Sequence, residues 1–320
     1  MIKIGILGCA EIAFRRFLPA LMENKEFECV CIAEEYDKSK LEQFEKEFGI
    51  KSAESFQSII EDENIDAVYI PLPPALHFPY AKAALEHGKH VFVEKPSTIS
   101  YEQTSELVEL ARKKNLVLQE NYMFQYHAQL ADIEKIIASG ELGKLRLVRT
   151  SFGFPRRAGG DFRYVKELGG GTMLDNGGYT IKLINRLLGR STRLVASRLD
   201  YDEETGVDIF GTAEFMNADG VLAQAAFGMD CQYQCSLELW GSKGRLTTGR
   251  IYTTPNGFVP TALIETGAGS RNIQLASCDA FEESIKMYLR AVDDDGLRAD
   301  MAQELVRQAE FVDAVRKNEG

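Results

Sequence analysis

The N-terminal segment Met1–Ala13 reads MIKIGILGCAEIA and indicates the fold class of the chain. Its apolar run predicts a buried strand that ends at a tight turn. Gly8, Ala10 and Ala13 occupy the three positions of a G-x-G-x-x-G/A turn, in which the backbone approaches a pyrophosphate at the start of a helix. Ala10 carries one methyl group more than the strict pattern. Because the turn opens a βαβ unit, we favour a dinucleotide site over a strand–turn–helix that binds nothing.

Strand and helix patterns alternate from this turn to about residue 121. The predicted strands are, in order, IKIGILG, ECVCIA, DAVYIPLP, HVFVEK and LVLQEN. The predicted helices between them are residues 12–22, KSKLEQFEKEFG, FPYAKAALEHG and YEQTSELVELARKKN. Such a series specifies a doubly wound parallel sheet, whose ligands bind at the carboxyl ends of the strands. We therefore predict an α/β chain with a dinucleotide-binding Rossmann domain over residues 1–120.

Beyond residue 121 the pattern changes. One helix, QLADIEKIIASG, precedes strand-like runs separated by turn signals such as NADG and GSKG, and helices near DAFEESIKMYLRAV and DMAQELVRQAEFVDAVRKN close the chain. This predicts a second α+β domain over 121–320, with a large, mainly antiparallel sheet for substrate binding and oligomerisation. An open sheet leaves one face exposed unless another subunit covers it, so we expect a homodimer or homotetramer.

Composition excludes several classes of partner. The chain has 320 residues and a formal net charge of −11, so no global field attracts nucleic acid or an anionic membrane. No apolar stretch is long enough for a membrane span and no secretory signal is evident, which predicts a cytoplasmic protein. The six cysteines form no CxxC pair and the four histidines show no metal spacing. We predict free thiols and no metal.

Two acidic residues follow the second predicted strand. Glu34 and Glu35 lie about where an acid would accept hydrogen bonds from the adenine-ribose hydroxyls. A carboxylate there repels a 2′-phosphate, so we predict NAD(H) rather than NADP(H), without excluding NADP(H), and expect the contact from Glu35 rather than Glu34. The alternative is a pair of solvated acids at a strand end.

The segment HVFVEKP, residues 90–96, ends a buried strand with a charged pair and a proline. A lysine there is costly to desolvate unless its charge is used. With a dinucleotide across the sheet, Lys95 would lie near the nicotinamide, where it can bind a substrate oxygen or lower the pKa of a neighbouring acid. Alternatively, Lys95 caps the strand or pairs with Glu94.

A second cluster, GGGTMLDNGGY, spans residues 169–179. Asp175 and Tyr179 are four residues apart, so a carboxylate and a phenol share one helical face. A tyrosine can donate a proton to a developing alkoxide if a cation lowers its pKa. The alternative is a glycine-rich turn with Tyr179 packed in a core.

Taken together, GCAEIA, PLPPALHFPYAKAALEHGKHVFVEKP, NYMFQYHAQ and GGGTMLDNGGY resemble the glucose-fructose oxidoreductase and inositol dehydrogenase (Gfo/Idh/MocA) family over essentially the whole chain. The resemblance implies that Lys95 and Tyr179 form an acid/base pair beside the nicotinamide, with Asp175 orienting a sugar hydroxyl. It also implies a set of cofactor contacts: Gly8, Ala10, Ile12, Ala13, Leu72, His77, Glu94 and Arg163.

Within this family, segments such as SFGFP, GDFRY and LELWGSKGRL are most similar to nucleotide-linked hexose 3-ketoreductases of deoxysugar biosynthesis. This resemblance implies an NAD(P)-dependent oxidoreductase that transfers a hydride between nicotinamide and a sugar carbonyl or hydroxyl. Two alternatives remain: a dehydrogenase of free sugars or cyclic polyols, and a cofactor-binding regulatory protein without catalysis. The family's D-x-G-x-H/Y motif maps onto Asp175, Gly177 and Tyr179. Asn176 and Gly178 depart from the apolar residues usual at the x positions, which suggests a changed substrate preference.

Overall fold

The computed structural model describes residues 1–317, which form two compact units. The first contains Met1–Asn121 together with Phe281–Ala309, and the second contains Tyr122–Ala280 together with residues 310–317. The predicted domains were continuous segments, whereas these units are interleaved because the chain returns to the first unit near its end.

The first unit is built on a six-stranded parallel sheet in the order β3-β2-β1-β4-β5-β6. Its strands are β1 (Ile2–Leu7), β2 (Phe27–Ala33), β3 (Lys51–Ser52), β4 (Ala67–Ile70), β5 (His90–Val93) and β6 (Leu118–Glu120). β4 is buried along its whole length and β5 along its last three residues, as expected for a parallel sheet covered on both faces. The predicted doubly wound parallel sheet is confirmed.

Five α-helices connect the strands of this sheet. They are α1 (Leu18–Met22), α2 (Leu41–Phe48), α3 (Phe56–Glu61), α4 (Pro74–Glu86) and α5 (Tyr101–Lys114). Side chains of Ser55 and Ser100 accept backbone N–H groups at the starts of α3 and α5. The helix predicted over 12–22 is present, but its Ala13–Phe17 part is a π-helical turn that leads into α1. Pro19 cannot donate an N–H to the preceding turn, which explains the local break in α-helical bonding.

The second unit is built on an eight-stranded sheet in the order β14-β13-β12-β11-β7-β10-β9-β8. Neighbours are antiparallel except for β7 and β10, so the predicted mainly antiparallel sheet is confirmed. Its strands are β7 (Leu145–Gly153), β8 (Arg193–Tyr201), β9 (Asp208–Met216), β10 (Leu222–Gly228), β11 (Gln234–Gly241), β12 (Gly244–Gly249), β13 (Thr261–Thr266) and β14 (Gly269–Gln274).

Four further helices complete the fold: α6 (Gln129–Ser139), α7 (Gly178–Leu188), α8 (Ala280–Asp293) and α9 (Asp295–Lys317). A π-helical turn, Met173–Gly177, leads directly into α7. Buried and exposed residues alternate along β9 and β11, so one face of this sheet is packed and the other is open. Within residues 1–317 no helix is both long enough and apolar enough to cross a bilayer.

Candidate active site

The turn after β1 has the geometry that a dinucleotide turn requires. Gly8 has φ of +115°, a conformation that favours glycine. A Cβ at this position would also lie 2.7 Å from a terminal carbon of Leu72, so a larger residue would require that side chain to move. The turn therefore brings Gly8 and Leu72, which follow β1 and β4, into contact at the carboxyl end of the sheet.

Of the two acids after β2, Glu34 reaches this turn. Its Oε2 accepts the Cys9 N–H at 2.7 Å, and its Oε1 accepts the N–H groups of Tyr36 and Asp37. Glu35 is directed elsewhere, because its Oε1 accepts the N–H of Phe56 at the start of α3. The geometry thus favours Glu34 over Glu35 as the acid beside a bound nucleotide, opposite to the preference drawn from the sequence.

Glu94 ends β5 in a buried setting. Its Oε1 accepts two hydrogen bonds of 2.7 Å, from the Tyr69 hydroxyl and from Asn121 Nδ2. Burial raises the pKa of this carboxyl, although the two hydrogen bonds and the neighbouring Lys95 oppose the shift. Lys95 itself is only half-buried and is joined to Pro96 by a cis peptide bond.

A buried polar chain, which no sequence motif predicts, supports Glu94. Asn121 Oδ1 accepts the Ser284 hydroxyl at 2.9 Å, and Gln119 Nε2 donates to the same hydroxyl oxygen at 2.9 Å. All three side chains are buried. Ser284 of the helix over 280–293, which is 163 positions away from Asn121 in the chain, therefore helps to hold the amide that binds Glu94. No local motif marks Ser284, which explains why sequence reasoning missed it.

His77 ties two loops of the same edge together. Its Nε2 lies 2.6 Å from the Leu72 carbonyl oxygen and its Nδ1 lies 2.7 Å from that of Pro96. Burial lowers the pKa of His77 to about 4, against the opposing effect of the two carbonyls. Since both ring nitrogens face main-chain oxygens, His77 holds the segments after β4 and β5 rather than offering a nitrogen to a ligand.

The second cluster is organised around an ion pair. Arg163 Nε donates to Asp175 Oδ2 at 2.7 Å, and its Nη1 donates to Asp161 Oδ1 at 3.1 Å. Burial alone would lower the pKa of Arg163, but Asp175 and Asp161 together raise it above its usual value. The guanidinium is therefore engaged with Asp175, so that the structure gives Arg163 a role in holding this carboxylate.

Asn176 fixes the π-helical turn to the sheet. Its Nδ2 donates to the carbonyl oxygens of Phe152 and Gly228, both at 2.8 Å, and its Oδ1 accepts the Thr172 hydroxyl. The side chain is fully buried. This departure from the family motif therefore pins the segment that carries Asp175, and its side chain is not positioned to select a substrate.

Tyr179 is enclosed by aromatic rings. The centroids of four rings lie 4.9–5.7 Å from its own: Tyr122, Phe124, Phe152 and Tyr252. Its hydroxyl lies 4.0 Å from Met123 Sδ. The packing fixes the orientation of the phenol at the first turn of α7. The predicted alternative of a packed tyrosine is thus correct for the ring, which leaves a chemical role for its hydroxyl.

The predicted site residues fall into two groups. The first unit holds Lys95 and all the residues attributed to the cofactor except Arg163: Gly8, Ala10, Ile12, Ala13, Glu34, Glu35, Leu72, His77 and Glu94. The second unit holds Arg163, Asp175 and Tyr179. Within residues 1–317 no group of three or more His, Cys, Asp or Glu side chains is arranged to bind a metal, and all six cysteines are free thiols.

Known proteins resemble this chain along nearly its entire length. A dTDP-3,4-didehydro-2,6-dideoxy-alpha-D-glucose 3-reductase of Saccharopolyspora spinosa is 37% identical over 98% of this chain and 96% of its own. The crystal structure of a 3-ketoreductase from Actinomadura kijaniata in complex with NADP and TDP-benzene has a TM-score of 0.96 at 35% identity, covering 99% and 98% of the two chains.

A relative with a different named activity is also similar. A D-xylose 1-dehydrogenase (NADP(+)) of Haloferax volcanii is 30% identical over 90% of this chain and 88% of its own. Residues 2–122 match the model of the oxidoreductase family with an NAD-binding Rossmann fold, and residues 130–247 match the GFO/IDH/MocA C-terminal domain. The chain therefore belongs to the Gfo/Idh/MocA oxidoreductase family and carries its NAD(P)-binding Rossmann domain.

Proposed function

We propose that this protein reduces the keto group of a nucleotide-linked 3-keto hexose with a reduced nicotinamide. The relatives named for this reaction cover nearly all of the chain, as do their solved structures. The observation that carries the proposal is the pairing of Asp175 and Tyr179 on one turn, with Asp175 fixed by Arg163 and Tyr179 fixed by its ring of aromatic neighbours. A protein that only bound the cofactor would have no use for this arrangement.

In the proposed reaction the bound nicotinamide supplies the hydride that adds to the carbonyl carbon. Tyr179 donates its hydroxyl proton to the developing alkoxide, and the ammonium group of Lys95 stabilises the negative charge on that oxygen. Asp175 accepts a hydrogen bond from a sugar hydroxyl and so orients the ring. Gly8, Ala10, Ile12 and Ala13 would hold the pyrophosphate at the turn after β1.

We propose NAD(H) as the preferred cofactor. Glu34 is buried at the turn, with its carboxylate fixed by three backbone N–H groups. A negative charge in that place repels a 2′-phosphate and accepts ribose hydroxyls. The Actinomadura relative was crystallised with NADP, so a preference for NADH would distinguish this chain from it.

A dehydrogenase of free sugars is the second candidate function, and the similarity to the xylose dehydrogenase of Haloferax volcanii favours it. The reaction would run towards oxidation, with Tyr179 accepting a proton instead of donating it. Both candidates use the same residues, because a proton donor in one direction is the acceptor in the other.

Absorbance of the reduced nicotinamide separates the two candidates. One mixture contains the protein, NADH or NADPH, and a dTDP-linked 3-keto hexose; the other contains the protein, NAD or NADP, and a panel of free sugars and polyols. Loss of absorbance in the first mixture alone supports the proposed reduction. Gain of absorbance in the second alone would replace it with sugar oxidation, and no change in either would reject both.

The open face of the second sheet supports a homo-oligomer. Large exposed apolar side chains lie on its strands: Val195, Tyr201, Phe210, Leu222 and Trp240. Association through this face would bury them. Analytical ultracentrifugation tests this directly, since a monomer at micromolar concentration would contradict it.

The six free thiols suit the reducing cytoplasm, where we propose the protein works.

A further inference from the structure

Several strand termini meet at one end of the sheet in the second unit. β7 ends at Gly153, which pairs with Gln234 at the start of β11, and β12 ends at Gly249, opposite Ser236. Asn176 ties the Tyr179 segment to the same end through the carbonyls of Phe152 and Gly228. The residues that follow β7, precede β11 and follow β12 therefore surround the end of the sheet to which Tyr179 is anchored.

Four arginines lie in these segments and in the loop before the π-helical turn, and two of them are neutralised. Arg156 Nη2 lies 2.5 Å from Asp202 Oδ2, and Arg163 is bound to Asp175 as described. An arginine that is already paired with a carboxylate in this way is less available to bind another anion.

The other two arginines are not held by a close carboxylate. Arg157 Nη1 is 3.9 Å from Asp161, beyond direct hydrogen bonding, and Asp161 is already engaged by Arg163. Arg250 forms no ion pair with any residue between 1 and 317. Both side chains are exposed, so that each retains a full positive charge for a ligand.

Each of these two arginines rests on an aromatic ring. The guanidinium carbon of Arg157 lies 5.0 Å from the ring centroid of Phe154, and that of Arg250 lies 5.3 Å from that of Tyr233. Stacking holds the plane of a guanidinium and leaves the N–H groups on its edge free to donate. Paired donors of this kind match the oxygens of a phosphate.

The backbone at Arg250 is held in a conformation that residues other than glycine rarely adopt. Its φ is +54°, and apart from a helix-terminal asparagine it is the one non-glycine residue in 1–317 with positive φ. The buried Thr254 hydroxyl donates to its carbonyl oxygen at 2.8 Å, and buried Gln129 donates to that hydroxyl at 3.0 Å. Such conformations persist where the surroundings enforce them, and they cluster at ligand sites.

We propose that Arg157 and Arg250 bind the diphosphate of a nucleotide-linked substrate, with the sugar directed towards Tyr179. The inference rests on the proposed function and names the residues that would recognise the nucleotide-linked part of its substrate. Two arginines match the two negative charges of a diphosphate diester, whereas a free sugar would give them nothing to bind. The diphosphate is thus the part of the substrate that this end of the sheet selects.

Calorimetric titration with dTDP tests the proposal, on protein saturated with NADH or NADPH so that the dinucleotide site is filled. The variants are Arg157→Gln, Arg250→Gln and their combination. Arg245→Gln is the matched control, because Arg245 lies at the other end of β12 and its side chain is 45% exposed, against 47% for Arg157. Cofactor affinity, measured for every variant, reports whether the chain is folded.

Each single variant should weaken dTDP binding about tenfold and the combination about a hundredfold, while the control changes it less than about twofold. Absence of dTDP binding to the cofactor-saturated wild type, or an equal loss in the control, would overturn the proposal. Turnover of a dTDP-linked 3-keto hexose together with dTDP binding that the double variant leaves unchanged would overturn this inference alone. Arginine-dependent dTDP binding without reductase turnover would uphold it and reject the proposed reaction.

Discussion

The hydroxyl of Tyr122 occupies the space in which a side chain at position 178 would begin. A Cβ built on Gly178 would overlap that oxygen and lie 3.0 Å from the ring carbon that bears it. The same ring packs edge-on against Tyr179, with centroids 4.9 Å apart. The glycine is therefore required by the neighbour that orients the proposed proton donor, which gives a packing reason for this departure from the family motif.

Gly178→Ala should lower the free energy of unfolding by about 1–3 kcal/mol, because the added methyl group forces Tyr122 to move. Tyr122→Phe in the same chain removes the overlapping oxygen and should recover part of the loss. Urea denaturation of the single and double variants measures both effects. Gly159→Ala serves as the control, since its Cβ would meet nothing within 4 Å. Equal costs for Gly178→Ala with and without the tyrosine hydroxyl would contradict the packing explanation.

Tyr179→Phe should reduce turnover roughly a hundredfold or more, because the proton donor is lost while the ring and its packing remain. Affinity for the reduced cofactor should stay within about twofold of the wild type, since the substitution removes only a hydroxyl and leaves the turn after β1 unchanged. Single-turnover absorbance and fluorescence titration measure the two quantities. Unchanged turnover would remove Tyr179 from the chemistry.

Glu34→Ala should narrow the preference for NADH over NADPH, because the charge that repels a 2′-phosphate is removed. We expect a change in the ratio of kcat/KM values of about tenfold or more. Glu35→Ala is the matched control, as its carboxylate caps α3 away from the turn. If the wild type already works better with NADPH, the proposed selectivity is wrong.

Glu94→Gln should change the pH dependence of stability. The pKa of the Glu94 carboxyl is raised in the folded state by burial, so the folded protein binds more protons than the unfolded chain above the ordinary carboxyl pKa. Its contribution to stability is therefore present at acidic pH and is lost as pH rises through the folded pKa. Glutamine keeps the acceptor for Tyr69 and Asn121 without titrating.

Urea denaturation between pH 5 and pH 8 compares this variant with the wild type. The free energy of unfolding of the wild type should fall more steeply with rising pH than that of the variant. Parallel curves would show that Glu94 does not titrate differently in the folded and unfolded states.

The parts of the site that follow from local pattern could be predicted from the sequence. The turn at Gly8 and the alternation of strands and helices specify the parallel sheet, because each depends on residues close together in the chain. The choice between Glu34 and Glu35 could not be made from local pattern, since it depends on which carboxylate the Cys9 N–H and the start of α3 attract. The roles of Asn176 and Ser284 depend on partners that distant strands and helices supply, which no local spacing reveals.

The polar chain from Glu94 to Ser284 also sets an order of assembly. During synthesis, Gln119 and Asn121 leave the ribosome long before residue 284 has been added. Until then the hydroxyl that joins their amides is missing. The dinucleotide-binding unit thus gains this part of its buried polar chain only after residue 284 has been made. A fragment that stops at Asn121 should be a poor substitute for the whole chain in cofactor binding.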